Sequence, residues 1–254
     1  MILTLDIGNT AVKGGLFDGP ALVRTFRLAS DASASVPAYR HALRHHLDGA
    51  DVERVGLASV VPAVAALITE AARAETLHLP LAVAPGLALP FEMGYETPAT
   101  LGTDRIAAAA GAWTRYHGDA PDRPLVVVDA GTAVTLEVVS AEGVFLGGSI
   151  GAGPDLVRRA LARGTAQLPE IDAVVPRRAV GRSTAEALQA GVMLPFLDGV
   201  RGLLARVTAE LGAAPLVVAT GGWSELLAEH IAAIDHVEPH LVLYGVRDVL
   251  ELNP

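Results

Sequence analysis

The stretch "PLVVVDAGTAVTLEVVSAEGVFLGGSI" (residues 124–150) decides the fold. Leu125 to Val128 is an apolar, β-branched run that predicts a strand, and Asp129 ends it. Gly131-Thr132 makes a turn, Ala133 to Val139 reads as a second strand, and Glu142-Gly143 turns into a third. The chain opens in the same way, with "MILTLDIGNTAVKGGLFDG" (residues 1–19). There a strand from Ile2 to Leu5 is interrupted by Asp6-Ile7-Gly8-Asn9-Thr10, and a second strand, Ala11 to Phe17, closes at the turn pair Asp18-Gly19. Asp129 and Gly131 stand 123 residues after Asp6 and Gly8. A phosphate loop of the Walker type or a dinucleotide fingerprint would pass from its glycines into a helix, whereas both of these tips pass into a strand. Two polar-tipped hairpins half a chain apart suit two domains of similar build.

The remainder of each half alternates helices and strands. Pro37 to Asp48 reads as a helix, Val55 to Val61 as a strand, Pro62 to about Ala74 as a helix, and Leu81 to Ala84 as a strand. In the second half Gly153-Pro154-Asp155 starts a helix through Ala162, and Ser183-Thr184 caps a long one running toward Leu211. Pro215 to Ala219 is a strand, and Thr220-Gly221-Gly222 leads into a helix from Trp223 to about Ala233. The expected class is α/β, with two similar domains, each a mixed sheet led by a hairpin and flanked by helices. The polar stretch His117 to Pro124 separates them, so the expected domains are residues 1–118 and 119–254.

Composition narrows the function. Of 254 residues 51% are apolar and 19% charged, which is globular rather than disordered. The best apolar run, Val55 to Ile68, is broken by Ser59 and Pro62 and falls short of the roughly 18 residues a membrane helix needs. The net charge is −9, with no Lys/Arg cluster beyond Arg177-Arg178, so nucleic acid is a poor partner. Small anions are not excluded, because backbone donors and one or two cations can hold a phosphate. The absence of cysteine rules out disulfides and thiolate metal sites, and with no basic-then-apolar leader it points to a cytoplasmic protein.

Two Asp-x-Gly hairpins, one per half, and a late Thr-Gly-Gly before a helix resemble the actin-like ATPase superfamily, whose domains are ribonuclease H-like. The resemblance implies that the tips approach one nucleotide's phosphates from opposite sides. The residue types suit that task. Glycine lets the main chain approach a phosphate and aim its N–H groups at it. Asn9, Thr10 and Thr132 add side-chain donors. Carboxylates cannot touch phosphate directly, so Asp6 and Asp129 would hold cations or their waters.

Five further stretches narrow the likeness: "ASVVP" (58–62), "TLGTDRIAAAAGAW" (100–113), "GTAQLP" (164–169), "AVGRSTAEALQAG" (179–191) and "VEPHLVLYGV" (237–246). Together with the hairpins they are similar, in order, to the type III pantothenate kinases, which phosphorylate pantothenate from ATP in the first step of coenzyme A synthesis. The resemblance implies Asp104 as the base that accepts the proton of pantothenate's primary alcohol. It implies an acceptor site formed by Tyr95, by Gly102, Thr103, Asp104 and Arg105, and by Thr184. Asp6, Ile7, Gly8, Asn9, Thr10, Ala11, Val12 and Lys13 match the ATP phosphate loop, and Thr132 a second nucleotide contact. Asp6 would organise Mg²⁺ through water, and Asp129 would bind a monovalent cation, K⁺ or NH₄⁺. Gly221 and Gly222 would let a helix approach the adenosine side. The family also implies a homodimer, for which the apolar segment Ala185 to Val207 offers an interface or, equally, core.

Two positions depart from the family. Its usual Gly-Ala-Asp-Arg is Gly102-Thr103-Asp104-Arg105 here, and its Ala-Pro-Gly is Ala152-Gly153-Pro154. Plainer readings of the same residues remain open at this level. Asp104 and Thr184 suit helix caps, Lys13 an edge-strand guard, Tyr95 core, and each Asp-x-Gly a turn with an Asx hydrogen bond. Two other functions fit the scaffold as well: an accessory regulator of transcription, and a kinase of another small alcohol.

Overall fold

The computed structural model describes residues 1–254. In chain order the strands and helices are β1 (Ile2–Ile7), β2 (Ala11–Asp18), β3 (Ala21–Ala29), α1 (Val36–Leu47), β4 (Arg54–Ser59), α2 (Pro62–Thr76), β5 (Leu81–Ala82), β6 (Glu92–Met93) and α3 (Thr103–Tyr116). There follow β7 (Leu125–Ala130), β8 (Ala133–Val139), β9 (Val144–Ala152), α4 (Pro154–Gly164), α5 (Thr184–Leu211), β10 (Leu216–Thr220), α6 (Ser224–His230), β11 (His236–Val237) and α7 (Leu241–Leu252). Contacts divide the chain into two units. The first holds Met1–Asp119, Gly143–Leu146 and His240–Pro254; the second holds Ala120–Glu142 and Gly147–Pro239.

The first unit is built on the sheet β3-β2-β1-β4-β5. β1 runs antiparallel to β2 and parallel to β4, and it is buried on both faces because α1 and α2 cover one face of the sheet and α7 the other. Leu3, Leu5 and Ile7 point into an apolar core with Leu43, Leu47, Val64 and Ile68 of α1 and α2. The alternate positions, Thr4 and Asp6, face the other way, as the period of two requires. On that face Gly15, Thr4 and Gly56 lie in register across β2, β1 and β4. A side chain at Gly56 would strike Val246, and one at Gly15 would press on Leu243, so the glycines let α7 lie close on the sheet. α7 in turn meets α3 where Gly111 and Gly245 face each other: a Cβ at Gly245 would fall 1.7 Å from the Ala107 carbonyl oxygen. Two helices can approach this closely only without side chains at the crossing.

That packing departs from the expected single cut after residue 118. The division does fall nearby, between Asp119 and Ala120, but residues 240–254 join the first unit. The reason is physical: nearly all of α7 from Leu241 to Leu250 is buried, against the glycine-lined sheet face and α3.

In the second unit β7 pairs antiparallel with β8 and parallel with β10, and β10 pairs parallel with β11. The complete second sheet is ordered β11-β10-β7-β8-β9-β6; β6 and the first residues of β9 belong to the first unit. Val126, Val128, Val134, Leu136 and Val217 of these strands pack against Met193, Phe196, Leu197 and Val200 of α5. Those inward residues of α5 therefore serve the unit's core. α5 starts as expected, with the Ser183 hydroxyl accepting from the Glu186 N–H at 3.2 Å while the Glu186 carboxylate accepts from the Arg182 N–H at 2.6 Å.

Candidate active site

The first hairpin tip is held by a hydrogen bond from the Gly8 N–H to the Ala11 carbonyl, at 3.0 Å. Asn9 and Thr10 at its apex are exposed. Asp6 is the last polar position before the tip and is only 7% exposed. Its neighbours across the sheet are Lys13 on β2 and Ala58 on β4. The Lys13 ammonium lies 3.3 Å from an Asp6 carboxylate oxygen. Lys13 is thus the direct partner of Asp6 rather than a guard against aggregation.

Asp104 enters this region from α3. It is the second residue of the helix, after Gly102 as N-cap, and its carboxylate accepts from the Arg105 N–H at 2.8 Å. A Cβ at Gly102 would come within 2.6 Å of the Asp104 Oδ1 atom, so glycine there leaves the carboxylate its place. Thr103 points back to β4. Its hydroxyl accepts from the Ser59 N–H at 2.7 Å and donates to the Ser59 carbonyl at 3.0 Å.

Burial pushes both carboxyl groups above the usual range. For Asp6 it is the leading cause, opposed by the Lys13 charge and reinforced by the charge of Asp104. For Asp104 burial again leads, opposed by the Arg105 N–H, the Arg105 guanidinium and Lys13. The two acids and the lysine therefore act on one another. A carboxylate raised in this way is a stronger base than an exposed one, which is what proton abstraction from an alcohol requires.

The second unit carries a tip of similar build, one residue tighter, in which the Gly131 N–H donates to the Ala133 carbonyl at 2.9 Å. Asp129 pairs with Thr135 on β8 and Thr220 on β10. Two glycine segments press against this tip. Gly153 donates to the Thr132 carbonyl at 3.0 Å, and a Cβ on it would stand 2.2 Å from the Gly131 carbonyl oxygen. Gly221 has φ +87°, and a Cβ there would meet the Asp129 Oδ1 atom at 2.5 Å. Gly153-Pro154 accordingly starts α4 without disruption: Gly153 is its N-cap, Pro154 takes a first-turn position where its missing N–H costs nothing, and glycine stands where backbone touches backbone.

Asp6, Lys13, Asp104, Arg105 and Thr103 thus come together in the first unit. Tyr95 is half-buried there, edge-on to Phe145 with ring centroids 6.2 Å apart. Asp129, Thr132, Gly221 and Gly222 belong to the second unit, as does Thr184, which is exposed as the first residue of α5 beside the actual cap, Ser183. Ser59 is the residue that the sequence reading passed over. Its only signal was its place at the end of a strand in "ASVVP", where polar groups lose their neighbours. No three His, Asp or Glu side chains cluster as a protein-only metal site. Buried Asp6, paired with Lys13, offers a carboxylate that would serve Mg²⁺ only with waters and phosphates as its other ligands.

The family described as "Type III pantothenate kinase" matches residues 2–206. The chain is 37% identical over 258 residues to the type III pantothenate kinase of Moorella thermoacetica, covering 100% of both chains. It is 39% identical over 263 residues to type III pantothenate kinase 1 of Symbiobacterium thermophilum, covering 100% of this chain and 97% of that one. Among solved structures it resembles a putative Baf family transcriptional activator from Campylobacter jejuni (TM-score 0.61, 22% identity, covering 99% and 98% of the chains). It also resembles a ROK family glucokinase from Streptomyces griseus in complex with glucose and AMPPNP (TM-score 0.55, 17% identity, 98% of each). These two likenesses establish the fold: two similar actin-like units, each a mixed sheet flanked by helices.

Proposed function

Because the chain belongs to the type III pantothenate kinase family, we propose that it transfers the γ-phosphoryl group of ATP to the primary alcohol of pantothenate, the first step of coenzyme A synthesis. The alcohol oxygen forms the new bond to phosphorus as the bond from phosphorus to the β,γ-bridging oxygen breaks, and ADP leaves. Asp104 takes the alcohol's proton. The carrying observation is that Asp104 stands half-buried at the start of α3, its carboxyl raised and within electrostatic reach of the Asp6–Lys13 pair of the first hairpin tip.

The remaining roles follow from chemistry. Segment 6–13 receives the phosphates. In keeping with that, a Cβ at Gly8 would meet nothing closer than the Ala11 carbonyl oxygen at 3.5 Å, so nothing inside the fold demands glycine there and the free space serves a ligand. Mg²⁺, when bound at Asp6, supplies charge neutralisation on the phosphates. Thr132 is a nucleotide contact of the second unit, Asp129 binds K⁺ or NH₄⁺, and Gly221 and Gly222 flank the adenosine. Gly102, Arg105, Tyr95 and Thr184 hold pantothenate, with the Arg105 fork suited to its carboxylate. We also propose a cytoplasmic homodimer. Its basis is the exposure of Ile150, Leu156, Val174 and Val180 in the unit that carries Thr184. No helix is long and apolar enough to cross a membrane.

A coupled assay with ATP, Mg²⁺ and pantothenate, with and without K⁺, tests the reading. Asp104→Asn should lower kcat by about 10²–10⁴-fold. An enzyme that forms no phosphopantothenate removes the function, and an undiminished Asp104→Asn variant removes the base.

A further inference from the structure

We propose that Thr103 is a positioning residue, whose hydroxyl latches the first turn of α3, and with it Asp104, to the end of β4 beside the phosphate tip. The inference rests on the kinase reading above and assigns a job to a side chain that touches no reacting atom.

The argument starts from an open strand edge. β4 is covered on one side by β1 along its whole length, with Ile7 opposite Ser59. On its other side β5 pairs only as far as Leu57, and Val83 adds a last hydrogen bond to the Leu57 carbonyl. Beyond that point Ser59 turns an N–H and a carbonyl outward with no strand to receive them. Half-buried backbone groups need partners. The Thr103 hydroxyl supplies both, accepting at 2.7 Å and donating at 3.0 Å, and so acts as a one-residue continuation of the missing strand. Neither alanine nor valine could do this, and serine could.

The latch connects the base to the tip through few links. Asp104 follows Thr103 directly. Ser59 is followed by Val60, whose N–H donates to the Ile7 carbonyl at 3.1 Å. Ile7 stands between Asp6 and Gly8, the residue that closes the tip. The groups facing Asp104 are Asp6 and Lys13 from the hairpin and Arg105 from its own helix. Thr103 is not the helix cap, since Gly102 holds that position and the hydroxyl bonds go 44 residues back along the chain. They tie the helix to the sheet rather than stabilise the helix itself.

Displacing a catalytic group by about 1 Å can cost roughly 10²-fold in rate. Loosening one turn should cost less, so Thr103→Ala should lower kcat about tenfold and change KM for ATP less than about twofold. Thr103→Val, which keeps the shape without the hydroxyl, should behave as Ala does. Thr103→Ser should restore most of the rate. A second readout needs no turnover: amide hydrogen exchange at Ser59, whose N–H the Thr103 hydroxyl accepts from. Exchange there should quicken in the Ala and Val variants and stay slow in Ser. Equal kcat and equal Ser59 exchange in wild type, Ala and Val overturn the latch. Equal losses in Ser, Ala and Val overturn it too, because the hydroxyl is then not the cause. A wild-type protein that makes no phosphopantothenate removes the kinase reading instead, and the exchange alone then decides the latch.

Discussion

Replacing Asp248 by asparagine should stabilise the protein, and increasingly so as the pH rises. Asp248 lies on α7, 5% exposed. One carboxylate oxygen is 3.1 Å from an Arg247 nitrogen, while the other has no hydrogen-bond partner. Burial raises the group to about 6, with Arg247 and Arg115 opposing the rise and Glu251 adding to it. The sign follows directly. A carboxyl group raised by folding favours the folded state when protonated, so its contribution is fully present below the unfolded value near 3.8 and is lost as the pH rises through about 6. The displacement is about two units, and at 1.36 kcal/mol per unit the ionised group costs about 3 kcal/mol at pH 8. Asparagine has the shape of the protonated acid and never ionises. Urea unfolding of both proteins from pH 4 to pH 8 should show similar stabilities at the acid end and a gap widening to about 1–3 kcal/mol at the alkaline end. A gap independent of pH, or a less stable Asp248→Asn at pH 8, would refute the reasoning. The second result would mean that the pairing with Arg247 outweighs the cost of burial.

Other substitutions probe the packing that carries the site. Gly245→Ala places a methyl 1.7 Å from the Ala107 carbonyl oxygen and should cost at least about 3 kcal/mol by parting α3 from α7; an unchanged melting temperature would contradict this. Gly153→Ala drives a methyl to 2.2 Å from the Gly131 carbonyl oxygen in the second tip. It should lower kcat/KM for ATP more than about tenfold while costing about 1–3 kcal/mol of stability, and wild-type nucleotide kinetics would show that the tip does not serve ATP. Lys13→Met removes the charge that holds Asp6 down, so Asp6 should stay protonated to higher pH. The acid limb of kcat/KM for ATP should then move to higher pH, and a limb in its original place would sever Asp6 from nucleotide binding.

The hairpins were legible because their apolar runs and turn residues are local signals, and both tips stand where those signals put them. β3 was not legible. Of its nine residues only Phe26 is buried, with Leu22 and Leu28 half-buried, and Arg24 interrupts the alternation they would otherwise make. α7 was missed for the opposite reason. It starts without a side-chain cap, and although Tyr244, Arg247 and Glu251 mark a narrow outward face at helical spacing, Leu241 to Val246 is an uninterrupted apolar run that a buried strand would also show.

The sequence alone determined the two Asp-x-Gly turns, their spacing and the chemical types offered to a ligand, since these depend on neighbours along the chain. Only the tertiary structure decided that Asp104 stands by Asp6 and Lys13, that Ser59 receives Thr103, and that the last fifteen residues belong with the first unit. Each of these is a meeting of residues at least 44 positions apart or of whole elements. Such meetings rest on an open strand edge and on glycines that let α7 settle against α3 and the sheet, and neither feature has a signature within a short window of sequence.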